Sequence, residues 1–250
     1  MSHFKQLPVP AAALVHLTHW KAGSQWFRAV TEDAFGEAVQ QPEPGTRHFF
    51  GQPLALSKIY PCGYLTVTEF KLLSVPAEHR RVLIIRDLRD TLVSGYYSIR
   101  YSHTLVGNLE KYRWVLNQCS EEDGLLYLME AWLPQSALVQ RTWLEAQEPF
   151  MRFEEFMVSP ERALMRAFNE FWRISISEDA VEHLVAKHSF ANHSGGRKPG
   201  EEDRLSHYRK GVAGEWREHF TPKVMDAFDR KFGHLVRLAG YDQSATVVGA

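Results

Sequence analysis

Residues Ala13–Val30 read ALVHLTHWKAGSQWFRAV. An apolar run of strand length ends near Thr18, and a helical pattern begins at about Ser24. Between them lies Lys21-Ala22-Gly23-Ser24. A buried strand, a short glycine-bearing loop and a helix start, in that order, make the opening unit of an α/β sheet. The same loop has the chemistry of an anion seat. Unpaired N–H groups and the positive end of the helix dipole gather at a helix N-terminus. Gly23 admits a ligand close to the backbone, Ser24 can cap or donate, and Lys21 adds a full charge. The spelling differs from the Walker A loop, where the lysine follows the glycines. A plain strand-to-helix turn with a surface lysine fits these residues equally well.

Outward from this unit the alternation continues. A loop is marked by Pro42, Pro44, Gly45 and Pro53, and residues 58–67 are strand-like although Pro61 and Gly63 interrupt them. A short helical piece at 69–74 precedes a buried strand, Arg81–Ile85, and then a helix over about 88–101. Residues 104–120 are mixed, a helical pattern covers 122–147 with a kink expected at Pro134, and 149–153 read as a further strand. Helices are predicted over 160–172 and 177–189, a polar, glycine-rich mobile loop over 192–206, and a last helix over 221–238 behind Thr221-Pro222. The expectation is one domain, residues 1–250, with a central parallel β-sheet flanked by helices.

Composition narrows the function classes. The chain has 250 residues, 44% of them apolar, and a formal net charge of −1, so no general pull toward nucleic acid or a membrane surface follows. Cys62 and Cys119 form neither a disulfide framework nor a metal-ligand spacing, which suits a reducing compartment. No apolar run reaches membrane-span length, and VPAAALVHL is too short and too soon followed by His16, His19 and Lys21 to read as a leader. A soluble, cytoplasmic protein is expected. His183, His188 and His193 are spaced so that no two share a helix face, and no metal is expected. Trp114, Trp132, Trp143, Phe168, Phe171 and Trp172 are expected to pack the core.

Two further stretches carry clustered charge. In RVLIIRDLRDTLVSGYYSIRYS, residues 81–102, Arg86 stands at the carboxyl end of a strand, where open α/β sheets bind ligands. Asp87 and Asp90 are candidate helix caps, Asp90 can orient an arginine, and Ser94 lies within the helix. In YRKGVAGEWREHF, residues 208–220, Arg209, Lys210 and Gly211 put two cations on a permissive backbone. Singly, each stretch also fits a local ion pair or a solvated basic turn.

In this order the three stretches resemble the cytosolic-type sulfotransferases that use 3′-phosphoadenosine 5′-phosphosulfate (PAPS). The family's Lys-Ser-Gly-Thr-Thr-Trp loop is matched by Lys21-Ala22-Gly23-Ser24-Gln25-Trp26. Its Arg-x-Pro-Arg-Asp-x-x-Val-Ser element is matched by Arg86 to Ser94, and its Arg-Lys-Gly-x-x-Gly-Asp-Trp element by Arg209 to Trp216. The resemblance implies a P-loop-like fold and an enzyme that moves a sulfuryl group from PAPS to a hydroxyl or amine, leaving 3′,5′-adenosine bisphosphate (PAP). It further implies that Lys21 and the backbone of Gly23, Ser24 and Gln25 hold the 5′-phosphosulfate and that Trp26 stacks on adenine. Arg86, Ser94 and Arg209 would bind the 3′-phosphate, with Lys210 and Gly211 beside them. The expected partner is a small-molecule or saccharide acceptor, with no nucleic acid and no membrane, and a homodimer is left open because the sequence does not reveal the oligomeric state.

Two departures stand out. The family's Tyr-Glu-Asp segment reads Phe153-Glu154-Glu155, and its Lys-Thr-His element, which carries the general base, has no counterpart between residues 54 and 80. His19 and Glu69 are the leading candidates for that base, with His103 behind them. The competing functions are a Mg²⁺-dependent phosphoryl transferase and a nucleotide-binding module without catalysis.

Overall fold

The computed structural model describes residues 6–41 and 52–241, so the expected turn at Pro42, Pro44 and Gly45 lies outside the described residues. Strand β1 (Ala13–Thr18) leads into helix α1 (Ser24–Phe35), and β2 (Ile59–Gly63) into α2 (Val67–Leu72). Strand β3 (His79–Ile85) leads into α3 (Leu88–Tyr97), which continues through one wider π-helical turn over Ser98–Ser102. Helices α4 (Leu109–Leu116), α5 (Glu121–Ala131) and α6 (Leu133–Glu145) precede β4 (Met151–Arg152). Then come α7 (Phe153–Val158), α8 (Pro160–Arg166), α9 (Glu178–Lys187), α10 (Phe190–Ser194), α11 (Trp216–His219) and α12 (Pro222–Leu238).

The strands form one parallel sheet in the order β2-β1-β3-β4. All six residues of β1 are buried, because helices cover both faces of the sheet. Leu14, Val82 and Ile84 face a core with Phe27, Phe168 and Trp172, and Val15, Leu17, Leu83 and Ile85 face one with Phe70 and Trp143. A third core joins α3, α5, α6 and α12 around Tyr96, Leu128 and Phe228.

Pro61 is tolerated because β2 lies at the end of the strand order, and the irregularity falls at Cys62, whose φ is 61°. The pairing with β1 shifts register there. The expected kink at Pro134 is instead a break at Trp132, with Pro134 in the first turn of α6. The Trp132 ring lies where a side chain on Gly95 would be, 2.4 Å from an added Cβ, so α3 and α6 approach through that glycine. Trp114 is a correction: it is 67% exposed, whereas Trp143, Phe168 and Trp172 are buried in the core. The 192–206 stretch also departs from expectation. It starts inside α10, and Arg197 donates to the carbonyls of Ser194, Glu201, Tyr208 and Arg209, pinning the loop to the irregular segment that carries Arg209.

Candidate functional site

The carboxyl ends of β1 and β3 point to one place. After β1 the chain turns through Lys21 at φ 68° and Gly23 at φ 76°. Gly23 is the N-cap of α1 and provides no side-chain cap, so the first amides of α1 keep their anion-binding capacity. A Cβ on Gly23 would lie 2.0 Å from the Phe153 ring, which makes glycine obligatory for this close approach. Ser24 does not cap the helix; its hydroxyl pairs with the Tyr64 hydroxyl at 2.7 Å. Gln25 is exposed, and Trp26 donates its indole N–H to the His188 carbonyl at 2.7 Å while packing edge-on to Phe156.

Arg86, just past β3, reaches back to this loop. Its guanidinium donates to the Lys21 carbonyl at 3.1 Å and lies 5.4 Å over the Phe153 ring. Its Nε is buried without a partner among the described residues. The Phe153-Glu154-Glu155 segment is therefore a support: Phe153 fills the space under Gly23 and Arg86. Glu154 accepts from the Asp87 amide at 3.1 Å and from the Tyr241 hydroxyl at 2.7 Å. Burial pushes the Glu154 carboxyl upward.

Asp87 caps α3 and grips the Arg89 side chain, with the closest contact at 2.6 Å. Asp90 has a different task. It is buried and accepts from the amides of Gly214 at 2.6 Å and Trp216 at 3.0 Å, with Arg86 3.9 Å away. The second charged stretch thus anchors the third. Two helical turns of sequence around Asp90 and a loop more than a hundred residues later meet through one carboxylate.

The result is one small cleft lined by Lys21, by Ser94, Ser98 and Ser102 of α3 and its π-helical turn, and by Arg204, Ser206, His207 and Arg209. The cations feel each other: burial, then Arg86 and Arg209, push the Lys21 ammonium down to about 8. The Ser98 hydroxyl is buried and has no hydrogen-bond partner among the described residues. Arg209 pairs with Glu202 at 2.5 Å and with Glu215, and its guanidinium lies 4.2 Å over Tyr97. Lys210 is turned to Glu215 and Glu218, at 3.2 and 2.8 Å. Gly211, at φ 68°, has the Phe190 ring 2.6 Å from where a Cβ would sit.

Glu215 and His219 stabilise this arrangement. Burial opposes charge on Glu215, but hydrogen bonds from His219 and Arg209 hold its carboxyl well below the usual carboxylate range. Burial likewise opposes charge on His219, but Glu121 and Glu215 raise it to about 9. The charged ring therefore stabilises the fold fully below its unfolded pKa near 6.5, and that contribution is lost as pH rises through about 9. His219→Gln is expected to cost about 1.5–3 kcal/mol at pH 6, the range for hydrogen bonds to charged groups, and much less at pH 10. Denaturant titration at the two pH values checks this; equal losses would rule it out. Glu215, Glu218 and His219 are also close enough to share a cation, but these ion pairs occupy their donor atoms. His188 and His193, five apart in sequence, do meet, at 3.2 Å, because the chain turns between α9 and α10.

Both leading candidates for the base make other hydrogen bonds. The His19 Nδ1 bonds the Trp20 carbonyl at 3.0 Å, and its Nε2 accepts from the Arg86 amide at 3.0 Å. Both ring nitrogens are thus engaged with backbone groups, and burial pushes the ring down to about 4. Glu69 closes a capping box with Thr66, accepting from its amide at 2.7 Å and its hydroxyl at 2.8 Å. His103 bonds the Thr104 carbonyl at 2.7 Å and stacks at 6.3 Å on Trp20. Two residues of this region escaped the sequence reading. Tyr64 follows β2 opposite the lysine loop, and His207 stands two places before Arg209. Position next to a motif was the available signal for each.

Comparisons with known proteins bear on the family and the fold. The family model described as sulfotransferase domain matches residues 71–240. Cytosolic sulfotransferase 3 of Arabidopsis thaliana is 25% identical over 236 residues, covering 84% of this chain and 72% of its own. A solved mouse sulfotransferase, SULT7A1 complexed with PAP, superposes with a TM-score of 0.66 at 18% identity, over 96% of this chain and 91% of its own. A retinol dehydratase in complex with androsterone and inactive cofactor PAP gives 0.58 at 12% identity, over 94% and 82%. Both solved structures share the parallel-sheet fold. With the matched region well over half its length, this chain belongs to the sulfotransferase domain family.

Proposed function

We propose that this protein transfers a sulfuryl group from PAPS to a hydroxyl, or an amine, of a small molecule or saccharide by in-line displacement. The observation that carries the reading is the gathering of three cations: Lys21 and Arg209 line one cleft, and the Arg86 guanidinium donates to the Lys21 carbonyl at 3.1 Å. The residues fit a doubly anionic nucleotide. The uncapped start of α1, the unpartnered Ser98 hydroxyl and the free Nε of Arg86 are donors in want of acceptors. Solved relatives of the same fold were complexed with PAP, which supports the choice of donor.

When bound, PAPS would supply the sulfuryl group and the bisphosphate leaving group. The chain's own residues would do the rest. Lys21 and the amides of Gly23, Ser24 and Gln25 would hold the 5′ end, where Lys21 stabilises the charge that develops as the leaving group departs. Arg86, Ser94 and Arg209 would hold the 3′-phosphate, with Arg209 exchanging its Glu202 contact for the ligand. Lys210 and Gly211 would shape that end, and Trp26 would border the adenine. The reading includes a single domain over 1–250, a cytoplasmic location in keeping with the name of the plant relative, and a homodimer testable by light scattering. No helix among the described residues is long and apolar enough to cross a membrane.

Thermal shift tests the donor. A shift with PAP that does not need Mg²⁺ is expected, and a shift only with ADP or ATP and Mg²⁺ would point to phosphoryl transfer instead. Radiolabelled sulfate transfer to a panel of alcohols, phenols and monosaccharides then tests catalysis. Arg86→Ala is expected to weaken PAP by about 10- to 100-fold, the loss of charge-assisted hydrogen bonds to a phosphate. ADP, which lacks that phosphate, should weaken by no more than about threefold. Calorimetric titration of both ligands reads the difference, and equal losses would remove Arg86 from the 3′-phosphate.

A further inference from the structure

We propose that His207 takes the proton from the acceptor, so that the catalytic base is supplied by the loop leading to Arg209 and not by a strand end. The inference rests on the sulfotransferase reading above. His207 lines the cleft together with Lys21, Ser94, Ser98, Ser102 and Arg209. Neither of its ring nitrogens is hydrogen-bonded among the described residues; its ring makes an edge contact with Tyr208 at 5.4 Å between centroids. The other groups within reach are engaged. His19 has both nitrogens committed, Glu69 is a helix cap, and Tyr64 shares its hydroxyl with Ser24. Burial pushes the Tyr64 hydroxyl well above the usual phenol range, far from a base that works near neutrality. His103 has one nitrogen on the Thr104 carbonyl and is not part of the cleft wall.

The surroundings keep His207 unprotonated. Lys21 faces it from the loop after β1, His103 from the end of the π-helical turn, Arg204 and Arg209 from its own loop, and Tyr97 from α3. Glu202, the nearby carboxylate, is held by Arg204 and Arg209. Burial, then the charges of Lys21 and His103, push the imidazole down to about 4. His207 is nevertheless an exposed residue, so solvent weakens the effect of burial, and a smaller downward shift still leaves the ring mostly neutral at pH 7.

The step balances. The acceptor O–H gives its proton to a ring nitrogen of His207 as its oxygen bonds sulfur. The bond from sulfur to the bridging oxygen breaks, and its electron pair stays on the 5′-phosphate oxygen, next to the Lys21 ammonium. The imidazolium then returns its proton to water through the open side of the cleft.

The test uses the full chain, PAP for binding, and radiolabelled PAPS with the panel compound that the wild type sulfates. His207→Gln and His207→Gly are expected to lower kcat by about 100-fold or more, as for loss of a positioned base. PAP affinity should stay within about threefold and thermal stability near wild type. Added imidazole should restore part of the activity of His207→Gly. In ring-labelled wild-type protein, one imidazole signal, absent from His207→Gln, should titrate below pH 6. Unchanged kcat in both variants, no rescue by imidazole, or a His207 signal titrating at 6.5 or above would overturn the proposal. A wild type that neither binds PAP nor transfers sulfate would instead overturn the sulfotransferase reading on which it rests.

Discussion

Lys21→Ala is expected to lower turnover by about a thousandfold while the folded state persists. The lysine is the one cation placed on the loop where the leaving group's charge would grow. Losing a single charge-stabilising donor at such a position costs about 100- to 1,000-fold in kcat. The fold should survive because Lys21 already stands at φ 68°, so alanine meets the same backbone strain, and no ion pair to Lys21 supports the sheet among the described residues. A second measurement reads the same residue without turnover. Burial and the two arginines hold Lys21 down to about 8, so a fraction of it is neutral at pH 8.5. An anion favours the ammonium form, so PAP should bind with proton uptake at that pH and weaken as pH rises above about 8. Titration calorimetry in two buffers of different ionisation heat measures the uptake. Normal turnover by Lys21→Ala, or proton uptake that survives in it, would exclude the assigned role.

Asp90→Ala is expected to be the most destabilising change at the site. The carboxylate is 2% exposed and serves the Gly214 and Trp216 amides as well as Arg86. Removing it leaves donors unpaired and a buried guanidinium without its counter-charge, a loss of about 3–5 kcal/mol for a broken buried pair. For a chain of this size that is a fall in Tm of roughly 10 °C. PAP affinity should fall by at least about tenfold even where the protein is folded, because the loop bearing Arg209 loses its anchor. Asp90→Asn keeps the shape and one acceptor, so it should fall between alanine and wild type. Scanning calorimetry and PAP titration on the three proteins check the order. An alanine variant with wild-type Tm would show that Asp90 does not hold the loop.

Some of this was legible in one dimension. The strand-loop-helix unit at Ala13–Val30 and the buried strand Arg81–Ile85 follow from periodicity and glycine placement, and the parallel sheet follows from their alternation. The charged motifs also lie in sequence as contiguous words, because a phosphate seat is built from adjacent backbone amides. What a residue's nitrogens or oxygens are bonded to is not written locally. His19 looked free for proton transfer, yet the Arg86 amide sixty-seven residues away consumes its second nitrogen. Asp90 looked like a helix cap, yet its partners are more than a hundred residues on. Trp114 looked like core, yet it is 67% exposed among the described residues.

The order of residues alone therefore determined the family and the sheet and singled out the three charged motifs, since short-range backbone geometry and hydrophobic period are written locally. Only the tertiary structure decided that Lys21 and Arg209 share one cleft with Arg86 bonded to the Lys21 carbonyl, and that Glu69 is spent as a cap while the His207 ring makes no hydrogen bond among the described residues. The physical reason is that hydrogen-bond partners and mutual charge depend on distances across the packed core, which no local spacing specifies.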